Sequence, residues 1–183
     1  MKLIAKEGLS ALVASGTECF NWTDEEYSPR GFDKVVEDLE AYIVSDGPFD
    51  AVMAFSSGAA LAATLIIRKT QQNTWEQNLS PVFKCAFFFS GGIPGVLERD
   101  EVRAADPSRE GTIIKIPTAH FWGSNDKEYP QFGHLLYELC VRDTRERYVH
   151  SGGHNVPDSK DMHDLENTLR VMRSVILKTL CSH

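Results

Sequence analysis

Three residues could together carry out nucleophilic chemistry: Ser56, Asp126 and His154. A serine hydroxyl is a poor nucleophile at neutral pH. It needs an imidazole to take its proton, and the imidazole needs a carboxylate to fix its tautomer. Ser56 stands in "AVMAFSSGAALAA", residues 51–63, where an apolar run ends at two serines and a glycine. A nucleophile held at a sharp strand-to-helix turn needs small residues two before and two after it. Here these are Ala54 and Gly58, a relaxed form of G-x-S-x-G. The amide of Ser57, at the start of the following helix, would face a developing oxyanion together with the positive end of the helix dipole. Taken alone the pattern is weak, because small residues are common at such turns.

Asp126 lies in "HFWGSNDKEYP" and His154 in "HSGGHNVP". Each has a plainer reading. Asp126 could be a turn-former after Gly123, and His154 a surface histidine between Gly152-Gly153 and Pro157. The order of the three is harder to dismiss. Serine, acid, histidine is the chain order in which one class of α/β proteins arranges nucleophile, orienting acid and base.

The elements around these residues place them at strand ends. Leu9–Ala14 reads as a short strand and residues 15–31 as loop. Phe32, Val35, Val36, Leu39, Tyr42 and Ile43 recur at helical spacing, and Asp46-Gly47-Pro48 ends that helix. Phe49–Phe55 is a nearly continuous apolar run, the pattern of a strand buried on both faces. Ser57–Lys69 is an Ala- and Leu-rich helix. Val82–Phe89 is a second buried strand, broken by "SGGIPG". Residues 96–112 are charged and read as surface loop or helix. Ile113–Trp122 holds a third strand, Tyr129–Cys140 a helix and Arg147–His150 a fourth strand. Met162, Leu165, Leu169, Met172, Ile176 and Leu180 form a helical stripe. Strands alternating with helices predict an α/β fold with a mostly parallel sheet flanked by helices. In such sheets ligands bind beyond the carboxyl ends of the strands.

Other candidates are weaker. His120 and His150 fall in strands, His134 and His163 on helices. Glu128 and Asp158 are fallback acids. Ser90 also follows a strand, but Gly-Gly-Ile-Pro starts a helix poorly, so it reads as a turn or pocket wall. Trp122 and Phe55 read as core or pocket wall. No GxGxxG or P-loop is present, and no cofactor is expected.

The bulk numbers fit this picture. A chain of 183 residues suits one domain over 1–183, and 42% hydrophobic with 25% charged residues is an ordinary globular balance. A net charge of −7 argues against nucleic acid as partner. No apolar run approaches the roughly 18 residues of a membrane helix. The cysteines (19, 85, 140 and 181) form no CxxC pair, so neither zinc nor a redox dithiol is expected. Reduced thiols in a cytoplasmic protein are the simplest reading.

The same segments resemble the FSH-type serine hydrolases, small α/β-hydrolases. "GPFDAVMAFSSGAALAA" looks like the family's elbow, "IPTAHFWGSNDKEYP" like its acid loop and "HSGGHNVP" like its histidine loop. "NWTDEEYSPRGFDKVVEDLEAYI" is similar to its approach to the elbow, so the resemblance covers most of residues 20–180. It implies ester or thioester hydrolysis, with Ser56 as nucleophile, His154 as base and Asp126 as its partner, and, since fungal members often hydrolyse esters or thioesters in polyketide pathways, it implies that setting by kinship alone. Ala54 and Ser57 stand where the family has Gly and Gln. The family's opening strand and His-Gly loop, which supplies a second oxyanion donor, have no counterpart: no histidine precedes His120. The expectation is therefore an N-terminally truncated α/β-hydrolase, short by about 50 residues. A strand beside the one carrying Ser56 would be missing, and self-association could cover the exposed edge. Two alternatives to a serine esterase or thioesterase remain open. One is a weakened or inactive relative that binds a small acyl or aromatic ligand. The other is an α/β binding module in which the three side chains lie far apart.

Overall fold

The strands Phe49–Phe55 and Val82–Phe89 are expected to be buried on both faces, and this sets the architecture. The computed structural model describes residues 3–4, 29–72, 75, 80–98 and 101–181. The expected strand at Leu9–Ala14 and most of the expected loop 15–31 lie outside the described residues. In chain order the elements are β1 (Leu3–Ile4), α1 (Pro29–Asp46), β2 (Ala51–Phe55), α2 (Ser57–Gln72) and β3 (Cys85–Phe89). They continue with β4 (Gly95–Glu98), β5 (Glu101–Ala104), α3 (Pro107–Glu110), β6 (Thr118–Gly123), α4 (Phe132–Glu138), β7 (Arg145–His150) and α5 (Met162–Cys181).

β1, β2, β3, β6 and β7 form one sheet in that spatial order, with every neighbouring pair parallel. The period-2 alternation of β3 divides the core. Ala86 and Phe88 face Ala59, Ala63, Ile66 and Ile67 of α2 and Leu136 of α4. Cys85, Phe87 and Phe89 face the other way, with Ala119, Phe121 and Val175 of α5. Ala59, Ala62 and Ala63 are essentially inaccessible. Their small side chains let α2 lie close on the sheet, which fixes the start of the helix beside the end of β2. Val36 and Leu39 of α1 close over Leu61 and Leu65 of α2.

Four expectations need correction. α1 starts at Pro29, so residues 29–31 are helical and not loop. Proline suits a first helical turn, where its missing N–H has no partner to lose. Residues 96–112 are not loop or helix throughout: β4 and β5 pair as an antiparallel hairpin before the short α3. Their charges pair with each other, Arg103 with Glu98 and Glu110, and Arg109 with Glu98. The Gly95 amide anchors the hairpin on the Thr64 hydroxyl of α2 at 2.8 Å.

The apolar stripe expected on α5 meets the sheet with only half of its residues: Met172 and Ile176 pack on the core beside Val175, and Leu165 is half-buried. Met162, Leu169 and Leu180 are 55%, 39% and 67% exposed, while Asp164, Thr168, Val175 and Thr179 are buried. Asp164 accepts from the Tyr148 hydroxyl and from the Ser151 amide and hydroxyl, and these bonds fix the face. The place beside β2 that was expected to be vacant is taken by β1, with Leu3 opposite Ala51 and Ile4 opposite Val52.

Among the described residues Cys85, Cys140 and Cys181 are free thiols. No described helix is long and apolar enough to cross a membrane.

Candidate active site

β2 ends at Phe55, and α2 begins at Ser57, so one residue makes the turn. That residue, Ser56, has φ 54°. The left-handed region is uncommon for a residue with a Cβ and costs about 1–2 kcal/mol. The strain is held from both sides. The Ser56 amide donates to the Phe89 carbonyl at 2.9 Å, and its own carbonyl accepts from Ala59 (3.0 Å), Ala60 (3.3 Å) and Gly92 (3.1 Å).

The neighbouring strand ends the same way. Ser90 follows β3 with φ 43°, is 3% exposed, and its amide donates to the Phe121 carbonyl. The second turn thus braces the first through Gly92. A Cβ on Gly92 would lie 3.2 Å from that of Ala60, so a side chain there would crowd the brace.

β6 ends at Gly123 and the chain turns to Asp126, whose residue is 8% exposed. One carboxylate oxygen, Oδ1, accepts from the amides of Glu128 at 3.1 Å and Tyr129 at 2.9 Å. The other, Oδ2, lies 2.8 Å from His154 Nδ1. Burial pushes the Asp126 carboxyl up. The Tyr129 amide, the His154 side chain and the Glu128 amide outweigh it, so it lies below its ordinary value. An ionised carboxylate only accepts, which places a proton on His154 Nδ1 and leaves Nε2 free to accept. Nε2 is 2.9 Å from Ser56 Oγ. The serine hydroxyl therefore donates to a histidine that itself donates to a buried carboxylate.

The imidazole is also held by its faces. Phe55 lies 5.1 Å from it and Tyr129 5.0 Å, centroid to centroid, and Tyr129 packs in turn on Phe132. Gly123 permits the close approach of the two loops, since a Cβ there would fall 2.2 Å from the Gly152 carbonyl oxygen.

The structure thus brings together all three residues singled out in the sequence, and the binding module with scattered side chains does not describe it. Ser57 is the first residue of α2, where an amide has no intrahelical acceptor. The remaining candidates lie elsewhere. Glu128 gives Asp126 its backbone amide, and Asp158 accepts from Lys160 N in the turn before α5. His120 is buried in β6, 3.0 Å from the Thr118 hydroxyl, and burial holds it down to about 3. His134 stacks on Tyr137, and His163 lies beside Asn167. Among the described residues no group of His, Cys, Asp or Glu could hold a metal ion. Sequence reasoning missed Tyr129 and the brace at Ser90–Gly92. Tyr129 was within reach: an aspartate whose carboxylate accepts from amides two and three residues on makes a local turn, which sets the side chain at that position.

Residues 7–165 match the model of the family described as serine hydrolase (FSH1). The chain belongs to that family. It is 31% identical over 177 residues to the esterase FPY3 of Fusarium mangiferae, covering 91% of this chain and 78% of that one. It is 30% identical over 152 residues to family of serine hydrolases 3 of Saccharomyces cerevisiae, covering 80% of this chain. The chain spans 54% of that yeast protein and 56% of the zebrafish (Danio rerio) esterase OVCA2. Solved structures show the same fold. A hydrolase from Agrobacterium vitis S4 superposes with a TM-score of 0.58 at 13% identity, over 96% of this chain and 87% of the other. A carboxylesterase from Mesorhizobium loti gives 0.55 at 17%, over 93% and 86%. The sheet and helices of this FSH1-family member are those of an α/β-hydrolase.

Proposed function

We propose that this chain is a serine esterase or thioesterase working through an acyl-enzyme on Ser56. The observation that carries the reading is the unbroken hydrogen-bonded series Ser56 Oγ, His154 Nε2, His154 Nδ1, Asp126 Oδ2, at 2.9 and 2.8 Å. As a substrate carbonyl approaches, Ser56 Oγ attacks the carbon while its proton passes to His154 Nε2. Asp126 keeps the ring oriented and stabilises the imidazolium. The oxyanion gains the Ser57 amide and the N-terminal end of α2. Collapse expels the alcohol or thiol, which takes the proton from Nε2. Water then attacks the acyl-serine with His154 again as base, releasing the acid and restoring Ser56.

The substrate is proposed as a small carboxylic ester or thioester. The names of the relatives support the ester, and a thiolate leaves at least as readily by the same steps. A setting in secondary, polyketide-type metabolism is proposed on the family resemblance alone. The test is rapid mixing of the purified protein with p-nitrophenyl butyrate and, in parallel, an S-butyryl thioester. The reading predicts turnover and a mass increase of one butyryl group on the peptide containing Ser56. Binding without turnover or acylation would favour a ligand-binding relative instead.

A further inference from the structure

The acid loop and the histidine loop leave different strands, yet Asp126 Oδ2 and His154 Nδ1 must meet within hydrogen-bond distance. A dense set of contacts just before both residues joins the two loops. The Ser124 amide donates to the His150 carbonyl at 2.8 Å, and the Asn125 amide to the Gly152 carbonyl at 3.0 Å. The Asn125 side chain donates through Nδ2 to the Ser151 carbonyl at 2.6 Å. His150, the last residue of β7, is 2% exposed and its Nδ1 accepts from the Gly152 amide at 3.2 Å. From the opposite side Asp164 of α5 grips the Ser151 amide and hydroxyl.

We propose that Asn125 and His150 are positioning residues, a clamp that sets His154 against Asp126 and so aligns the base with Ser56. The proposal rests on the acyl-serine reading above. Asn125 is adjacent to Asp126, and the carbonyl it holds lies three residues before His154. Its side chain therefore ties the two loops directly at the point where their register matters. His150 works from within its own loop. A ring that accepts at Nδ1 carries its proton on Nε2, so the clamp needs the neutral imidazole. Burial favours that form, against the Asp164, Asp161 and Asp126 carboxylates and the Asn155 carbonyl, and the net direction is downward. No contact in this clamp touches the reacting atoms. Its effect is geometric, and a misplacement of about 1 Å in a catalytic group can cost on the order of a hundredfold in rate.

Asn125 is exposed, so its replacement leaves no hole in the core. The experiment measures steady-state ester hydrolysis and the second-order rate of fluorophosphonate labelling for wild type, Asn125→Ala, Asn125→Asp, His150→Leu and His150→Asn, with thermal melts on each. Asn125→Ala and His150→Leu are expected to lower kcat and the labelling rate about tenfold or more, with KM within about twofold. Asn125→Asp should match the alanine variant, because a carboxylate there sets acceptor against acceptor. His150→Asn, whose amide oxygen can take the place of Nδ1, should recover most of the loss. Wild-type kcat and labelling in Asn125→Ala, or a change in KM alone, would overturn the clamp even if the melting temperature fell. A folded wild type that fails to label would remove the acyl-serine reading, and the clamp with it. Normal wild-type labelling with an unaffected Asn125→Ala removes the clamp only.

Discussion

Ser56 sits at a φ of 54° because two hydrogen-bonded turns hold it there, and the position puts its hydroxyl on His154. Little of its side chain packs, so Ser56→Ala should lower turnover by at least about 10³-fold while shifting stability by no more than about 1 kcal/mol. Activity assays beside denaturant unfolding check both. Asp126→Asn keeps the shape but offers an amide to Nδ1, and the opposite tautomer no longer accepts from Ser56. Turnover should fall about 10³–10⁴-fold with the fold intact, and retained turnover would remove Asp126 from its proposed role. These three residues were legible because their order and their placement after apolar runs are properties of the chain. Ser90 was read as a turn and Tyr129 was within reach through the turn at Asp126, but the bracing of Ser56 by Gly92 and the packing of Tyr129 on His154 were not legible, because they depend on how far apart strand ends lie in space.

At the scale of elements, the loops after β6 and β7 meet where only glycine fits. Gly123→Ala would drive a methyl into the Gly152 and Gly153 carbonyl oxygens, 2.2 and 2.3 Å away. It should destabilise by about 1–3 kcal/mol and depress kcat, since the loops carrying Asp126 and His154 must separate. Calorimetry and kinetics on one preparation test this. α5 is tied to β7 through Asp164. The Tyr148 hydroxyl first, and then the Ser151 amide, hold its carboxyl down to about 2 from an ordinary 3.8. A carboxylate depressed in the folded state contributes stability that is complete above the ordinary value and is lost as pH falls through the folded one. Between about pH 4 and 2, wild type should therefore lose stability faster than Asp164→Asn, as read by unfolding midpoints; parallel curves would contradict the assignment. The same tie explains why only half of the expected face of α5, Met172 and Ile176 among it, meets the sheet. Apolar counting gave weight to Met162, Leu169 and Leu180, whereas the helix is oriented by a polar anchor and by slim Thr and Val side chains against the sheet. The β4–β5 hairpin was illegible for a related reason. Arg103 pairs across it with Glu98 and on to Glu110 of α3, so charge density did not mean loop.

Across the whole molecule, the buried histidine His120 makes the fold sensitive to mild acid. It is 1% exposed, between the rings of Phe88 and Tyr137, and is held down to about 3 from an ordinary 6.5. From pH 6.5 towards 3 the unfolded chain takes up a proton that the folded one refuses, so stability falls as pH falls. The slope from this group reaches at most about 1.4 kcal/mol per pH unit. His120→Phe should flatten the decline between pH 7 and 4 in chemical denaturation, and an unchanged slope would contradict it. Outside the β4–β5 hairpin and the short β1, the order of the described strands and helices was legible, because doubly buried strands and amphipathic helices write their period into the chain. Sheet neighbours were harder. The place beside β2 was expected to be empty, and a two-residue strand from the far end of the sequence pairs there. Such short pairing leaves no periodicity to read.

Everything proposed for this site depends on Ser56 being an activated nucleophile. The most direct measurement is fluorophosphonate labelling of the purified, folded protein beside Ser56→Ala, with the modified peptide mapped by mass spectrometry. One adduct is expected on Ser56 in the wild type and none in the variant. Equal labelling of the two, or a folded wild type that does not label, would contradict it.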